Sequence, residues 1–300
     1  MICLHQAFRY KTFKQIFSLK HLYKSAKICC KGHHSQLSIL SFKANIWKNI
    51  KQIYKELHND QYKFQGFYSF YTYNGDKLRC IDSLQFKDKI VYKCLCKYYL
   101  IPLLEKVFIY DNPAHQIGKG IHWSIKRVKK FLTCNNNYVV KFDLSEFFNS
   151  VNRDKLKNLI DKFFVIDDNK LHNLIFTVID NFQYMREVNG NKGLGLGTEL
   201  SQLLALFYTT PLDYFIKSKL RIKYYIRYVD DGLFFSSTYE EAYEQLNQIR
   251  KFLKDYDLYL NRDKCRIIPL TESFTFLKLQ IYKSNTGKIH IQLGDKGMNN

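Results

Sequence analysis

The residues best placed to do chemistry are carboxylates. Asp143 closes the β-rich run Tyr138–Leu144, and Asp230-Asp231 stand between two further β-rich runs, Lys223–Val229 and Leu233–Ser236. Taken singly, each has an ordinary explanation: an Asp ahead of a helix is usually a cap, and Asp-Asp-Gly usually makes a hairpin turn that needs positive φ. Together they allow more. If the Asp143 strand lies beside the hairpin, three hard oxygen ligands converge where two Mg²⁺ ions could sit, because Mg²⁺ prefers carboxylate, phosphate and water to nitrogen or sulfur. Two metals roughly 3.5–4 Å apart activate one oxygen and stabilise the leaving one during in-line phosphoryl displacement.

Charge points to a polyanionic partner. The 300 residues include 47 Lys+Arg against 27 Asp+Glu, a net charge of +20 that would strain a compact state unless phosphates offset it. Eleven of these bases lie between Met1 and Lys55, a stretch with no Asp or Glu. An acid-free start also suits an organellar transit peptide, but Arg9 is its only arginine. With 46% hydrophobic residues, 13 Gly and 4 Pro, the chain is globular, long enough for one large or two ordinary domains, and neither collagenous nor low-complexity. The eight cysteines form no C-x-x-C pair and the first residues read as no secretory h-region, so reduced thiols in a cytoplasm are expected. His33-His34 and Cys94/Cys96 have no zinc spacing. Lys and Arg interrupt each apolar run before the roughly 18–20 residues of a membrane helix, so a soluble protein without a membrane partner is expected.

Several elements must position the acids. Apolar residues at 42, 46, 50, 53 and 57 predict a basic amphipathic helix over Phe42–Leu57. Alternation around Asn74-Gly75 predicts a hairpin over Tyr68–Ile81. Helices are expected over Phe86–Tyr110 and His122–Leu132, then a strand ending at Asp143, a helix capped by Asn152, and a helix over Asp167–Met185. Gly190–Gly197 reads as a loop and Glu199–Leu220 as an apolar helix interrupted near Pro211. Beyond the Asp-Asp pair come a helix over Tyr239–Tyr256 and strands over Cys265–Pro269 and Phe274–Tyr282.

In order and spacing, three segments resemble the palm motifs of reverse transcriptases: Phe142-Asp143-Leu144-Ser145-Glu146-Phe147-Phe148, Gly193-Leu194-Gly195-Leu196-Gly197-Thr198-Glu199-Leu200-Ser201-Gln202, and Tyr228-Val229-Asp230-Asp231. Upstream, Lys77-Leu78-Arg79 resembles the fingers motif that holds the incoming triphosphate, and Asp111–Gly120 a bacterial fingers segment. Downstream, Leu258–Lys264 and Phe276-Leu277-Lys278 resemble the last palm motifs, so the resemblance runs from about Phe42 to Tyr282. It implies an α+β fold of right-hand type: a basic arm over 1–55, fingers over 56–137, and a palm over 138–285 whose antiparallel sheet is backed by helices. Residues 286–300 would be a tail or the start of a thumb that is short or absent.

The resemblance also implies roles. Asp143, Asp230 and Asp231 would hold two Mg²⁺ ions, or Mn²⁺ in their place, with the Leu144 carbonyl as a further ligand. Lys77 and Arg79 would pair with a dNTP triphosphate, Phe148 would exclude a ribose 2′-OH, and Lys264 would assist departure of pyrophosphate. Gly193, Gly195, Leu196 and Gly197 would approach the nucleotide, and Lys119, Ser201, Gln202 and Tyr228 the nucleic acid.

The resulting activity is RNA-directed DNA synthesis on an RNA template from a DNA or RNA primer. An accessory protein or structured RNA is a further partner. The motif pattern as a whole is similar to diversity-generating retroelement and group II intron-like enzymes, and Leu196 with Ser201-Gln202, where most of the family has Pro-Gln-Gly and Ser-Pro, is similar to the bacterial diversity-generating retroelement enzymes and implies error-prone copying. Lys278 stands where the family usually has Gly. The alternative is a polymerase-derived RNA-binding component of a retroelement or phage-defence system, with template-independent or vestigial synthesis.

Overall fold

A computed structural model describes residues 11–31, 37–75, 77–185, 188, 190–284 and 286–294. The first ten residues of the basic arm, His33-His34 and the end of the tail, 295–300, lie outside the described residues. Helices and antiparallel sheets are mixed, and the chain packs as two compact units, each built from two stretches of sequence.

The first unit joins Met1–Lys106 with Asn152–Leu204. Its helix Leu19–Cys29 starts at Ser18, whose hydroxyl accepts from the His21 N–H, and packs against a helix over Ile46–His58. The single amphipathic helix expected over Phe42–Leu57 is instead two, Leu37–Ala44 and Ile46–His58, because Asn45 leaves helical geometry at φ −124°, ψ 37°. The expected faces survive in the second: Ile50, Ile53 and Leu57 are buried while Lys48, Lys51 and Lys55 are exposed. The hairpin pairs β1 (Phe67–Asn74) with β2 (Lys77–Leu84) from Phe67↔Leu84 to Asn74↔Lys77, turning at Gly75 with φ 60°. The helix beginning at Phe86 widens into a π-turn over Cys96–Leu100 and stops at Leu104, short of the expected Tyr110. Asn152 caps Arg153–Phe163 by accepting from the Asp154 and Lys155 N–H groups.

The second unit joins Val107–Val151 with Ala205–Asn300. Its main sheet contains β3 (Tyr138–Asp143), β4 (Tyr225–Tyr228), β5 (Asp231–Ser236) and β6 (Arg266–Pro269) in the order β4-β5-β3-β6, all antiparallel. A smaller sheet orders β7 (Phe274–Phe276), β8 (Leu279–Lys283) and β9 (Ile289–Leu293). Val139, Leu233 and Phe235 from the main sheet, Val128 and Phe131 from the helix Ile121–Leu132, and Phe276 and Ile281 from the smaller sheet share one apolar core. The run expected as one strand over Phe274–Tyr282 is broken at Leu277-Lys278, which adopt φ 51° and 66°, the two-residue turn with both φ positive that matches strand twist.

Gly232 differs from the turn reading of Asp-Asp-Gly. It lies inside β5 opposite Phe142, and the residue with positive φ is Val229, at 60°. A Cβ on Gly232 would lie 2.2 Å from Cζ of the buried Phe142 ring, so glycine is needed to let the ring cross the strand. Gly232→Ala should cost about 1–3 kcal/mol in urea unfolding. Phe142→Leu added to that variant should recover part of the loss, and strictly additive losses would contradict the packing argument.

Candidate active site

Antiparallel pairing of β3 with β5 places Asp143 directly opposite Asp231. Side chains of directly opposed residues lie on one face of a sheet, roughly 4.5–5.5 Å apart at Cβ. Asp230 sits in the two-residue turn between β4 and β5, where its carbonyl accepts from the Leu144 N–H at 3.1 Å. Three acids from distant parts of the sequence thus meet at one end of the sheet. A second strap fixes the other side of β3: the Asn261 N–H donates to the Asp143 carbonyl at 2.8 Å and the Ser145 N–H to the Tyr259 carbonyl at 2.8 Å.

The acids repel one another. Burial raises the Asp230 carboxyl above its ordinary range, and Asp143 raises it further, against Lys264 and Arg227. Burial pushes Asp231 from 3.8 up to about 6; Lys141 opposes the rise while Asp143 and Asp230 add to it. The Leu277 N–H, delivered by the turn with both φ positive, also bonds Asp231, yet Asp231 Oδ1 is buried with no hydrogen-bond partner among the described residues. Lys264 Nζ donates to both oxygens of Asp143, at 2.8 and 2.9 Å.

Among the described residues no group of three or more His, Cys, Asp or Glu side chains is arranged to hold a metal ion as the structure stands. The donor set still fits a hard divalent cation. Burial, with the neighbouring carboxylates adding to it, raises the proton affinity of Asp230 and Asp231, and one buried Asp231 oxygen has no donor among the described residues; a cation would relieve both. Asp143, Asp230 and Asp231 are the side chains that would hold it.

The sequence matches the family profile of reverse transcriptase (RNA-dependent DNA polymerase) over residues 72–281, well over half of the chain. The chain belongs to the reverse transcriptase family. No curated protein matches it. Among solved structures, it is similar to apo telomerase from Candida tropicalis, with 18% identity and a TM-score of 0.57 over 75% of this chain and 47% of that one. It is also similar to telomerase from Candida albicans in complex with a fragment of telomeric RNA, with 13% identity and a TM-score of 0.56 over 80% and 48%. The reverse transcriptase chain described here therefore spans about half the length of those telomerase chains, and at these identities the likeness is one of fold.

The remaining expected residues fall into two groups. In the second unit, Phe148 is half-buried against Phe147, with ring centroids 5.4 Å apart. Leu144 is buried, and Tyr228 is half-buried against the apolar core. Lys119 donates to the Tyr110 carbonyl at 2.8 Å and lies over the Tyr110 and Trp123 rings.

In the first unit, Arg79 is exposed on β2 opposite Thr72, and Lys77 lies at the start of that strand. The Leu196 carbonyl accepts from the Asp82 N–H at 2.7 Å. A Cβ on Gly197 would come within 2.3 Å of the Asp82 carbonyl oxygen, so the close approach Gly197 permits is to β2 of its own unit. Gln202 is half-buried. Ser201 is a correction: it is fully buried, its N–H bonds the Thr198 hydroxyl and its own hydroxyl the Thr198 carbonyl, so it serves the start of the helix Glu199–Tyr208 rather than a surface for nucleic acid.

Sequence reasoning missed several supports. Arg153, 3% exposed, donates to the carbonyls of Gly190, Lys192 and Gly193 and so braces the glycine-rich loop. Lys141, two residues before Asp143 on β3, and the Leu277 N–H, from the turn after β7, both act on Asp231. A basic residue immediately after the Asn152 cap was the only local signal for Arg153.

The raised Asp231 carboxyl has a measurable consequence. The folded acid holds its proton more tightly than the unfolded one, so ionisation subtracts stability above about pH 6 and the subtraction fades as pH falls toward 3.8. Asp231→Asn should therefore melt higher than the parent at pH 7.5 in chelator, by up to ~3 kcal/mol. The gap should close between about pH 6 and 4, and a gap that does not vary with pH would contradict the electrostatic origin.

Proposed function

We propose that the chain is an RNA-directed DNA polymerase that makes cDNA on an RNA template by two-metal nucleotidyl transfer. The observation that carries this reading is the strand register that sets Asp143 against Asp231, with Asp230 in the adjoining turn. Family membership supports RNA-dependent DNA synthesis as the reaction class. A pair of bound Mg²⁺ ions, with Mn²⁺ as a substitute, would supply Lewis acidity and align the reacting oxygens.

The chain's own residues would do the rest. The three aspartates and the Leu144 carbonyl would hold the cations. The exposed Arg79 guanidinium presents a planar donor fork suited to triphosphate oxygens, with Lys77 adding charge from the same strand. Phe148 would exclude a ribose 2′-OH and so select dNTPs. Lys264, which pairs with Asp143, would donate a proton to departing pyrophosphate. The segment 56–137 would act as fingers and 138–285 as palm, with Lys119, Gln202 and Tyr228 contributing to nucleic-acid contact. The basic stretch before Glu56 would add phosphate contacts whose strength falls with salt.

Asp230→Asn should abolish extension of a primed RNA template, a loss of at least about 10³-fold, while RNA affinity changes less than about twofold; undiminished extension would reject the assignment. Leu196→Gln should lower the error rate of cDNA if that position sets fidelity as its retroelement-like sequence suggests. Sequencing products of parent and variant measures it, and equal rates would remove the proposal of error-prone copying.

A further inference from the structure

Arg227 lies on β4 three residues before Asp230, is fully buried, and has no surface through which to meet a substrate. Its Nε and Nη2 donate to Oδ1 and Oδ2 of the equally buried Asp213 at 2.8 and 2.6 Å. That carboxylate is satisfied further by the Tyr225 hydroxyl at 2.7 Å and the Asn112 amide at 3.3 Å. Neutralising Asp213 engages two guanidinium nitrogens. The third, Nη1, donates to the Val229 carbonyl at 2.5 Å.

Val229 is the residue that needs holding. It carries φ 60°, a left-handed region that β-branched residues scarcely populate because of backbone strain. Its peptide leads directly into Asp230, whose own carbonyl is fixed by the Leu144 N–H. Both carbonyls flanking the Asp230 backbone are therefore tethered, one to β4 and one to the chain just past β3. The buried pair is itself anchored, because the Arg227 N–H donates to the Asp111 carbonyl and the Asp111 carboxylate is bound by Arg127 and Lys217.

We propose that Arg227, locked in orientation by Asp213, is a positioning residue that holds the left-handed Val229 turn and thereby aims the Asp230 carboxylate toward Asp143 and Asp231. It acts through the backbone and touches no reacting group. The inference rests on the polymerase reading for its effect on rate, but the clamp on the turn is a property of the fold and can be measured without that reading.

Arg227→Lys keeps a cation against Asp213 and removes the donor to Val229. Val229→Gly added to it supplies a residue that adopts φ 60° without strain. In Arg227→Lys, amide hydrogen exchange of peptides spanning Tyr228–Leu233 should accelerate at least tenfold, while peptides of Tyr138–Lys141 keep the parent rate. The kcat for primer extension on RNA should fall at least tenfold, with KM for dNTP and affinity for RNA within twofold. Val229→Gly in that background should recover both exchange protection and kcat at least threefold.

A residue needed merely to neutralise Asp213 would give no rescue by glycine. Unchanged exchange in the turn, or a loss that Val229→Gly does not relieve, overturns the proposal. If Arg227→Lys does not fold, Arg227→Gln with Asp213→Asn removes both buried charges and the clamp together, and the same exchange and rescue criteria decide. A parent chain that extends no primer refutes the polymerase reading, whereas the exchange measurements still decide the clamp.

Discussion

Like charge held out of water is the constraint on which the second unit's organisation depends. Three carboxylates at one sheet end repel one another, and burial penalises ionisation of Asp230 and Asp231, so on energetic grounds the chain would separate or neutralise them. The fold does not separate them: it offsets part of the charge with nearby cations, Lys264 on Asp143 and Lys141 near Asp231, and it fixes the backbone on both sides so that the acids cannot relax apart. Sites that store unfavourable electrostatics in this manner give up stability for a defined affinity toward cations.

Rigidity around the acids comes from unrelated sources that agree. Backbone pairing sets Asp143 against Asp231, a buried guanidinium ties down the turn before Asp230, and the Leu277-Lys278 turn delivers an N–H to Asp231. Two of these supports place non-glycine residues at positive φ, at Val229 and at Leu277-Lys278. Such backbone persists only where the surroundings over-determine it, and here the over-determination lies beside the carboxylates.

Much of this was legible in the residues. The strand ending at Asp143, the hairpin at Asn74-Gly75, the Asn152 cap and the glycine-rich loop depend on local patterns, and each lies where those patterns put it. The meeting of the three acids was conditional on Asp143's strand lying beside the hairpin, a pairing across 88 positions that no local periodicity encodes. Asn45 broke a helix that the apolar spacing alone carried through. Gly232 looked like a turn residue because its reason, the Phe142 ring, comes from another strand. Ser201 looked like a contact residue because a hydroxyl in a motif does not reveal that Thr198 already engages it. Arg227 is invisible in sequence for the same reason: an arginine in an apolar strand announces a buried partner without saying which one.

The second unit closes only when Val107–Val151 meets Ala205–Asn300, with the whole of Asn152–Leu204 made in between. During translation at about 5–20 residues per second, β3 therefore emerges roughly 5–20 seconds before β5 can pair with it. Over that interval Val139, Val140 and Phe142, all buried in the finished sheet, lack their β5 partners. The interleaving of the two units in sequence thus ties burial of this strand to the completion of the second stretch, a long-range closure of the kind that slows folding.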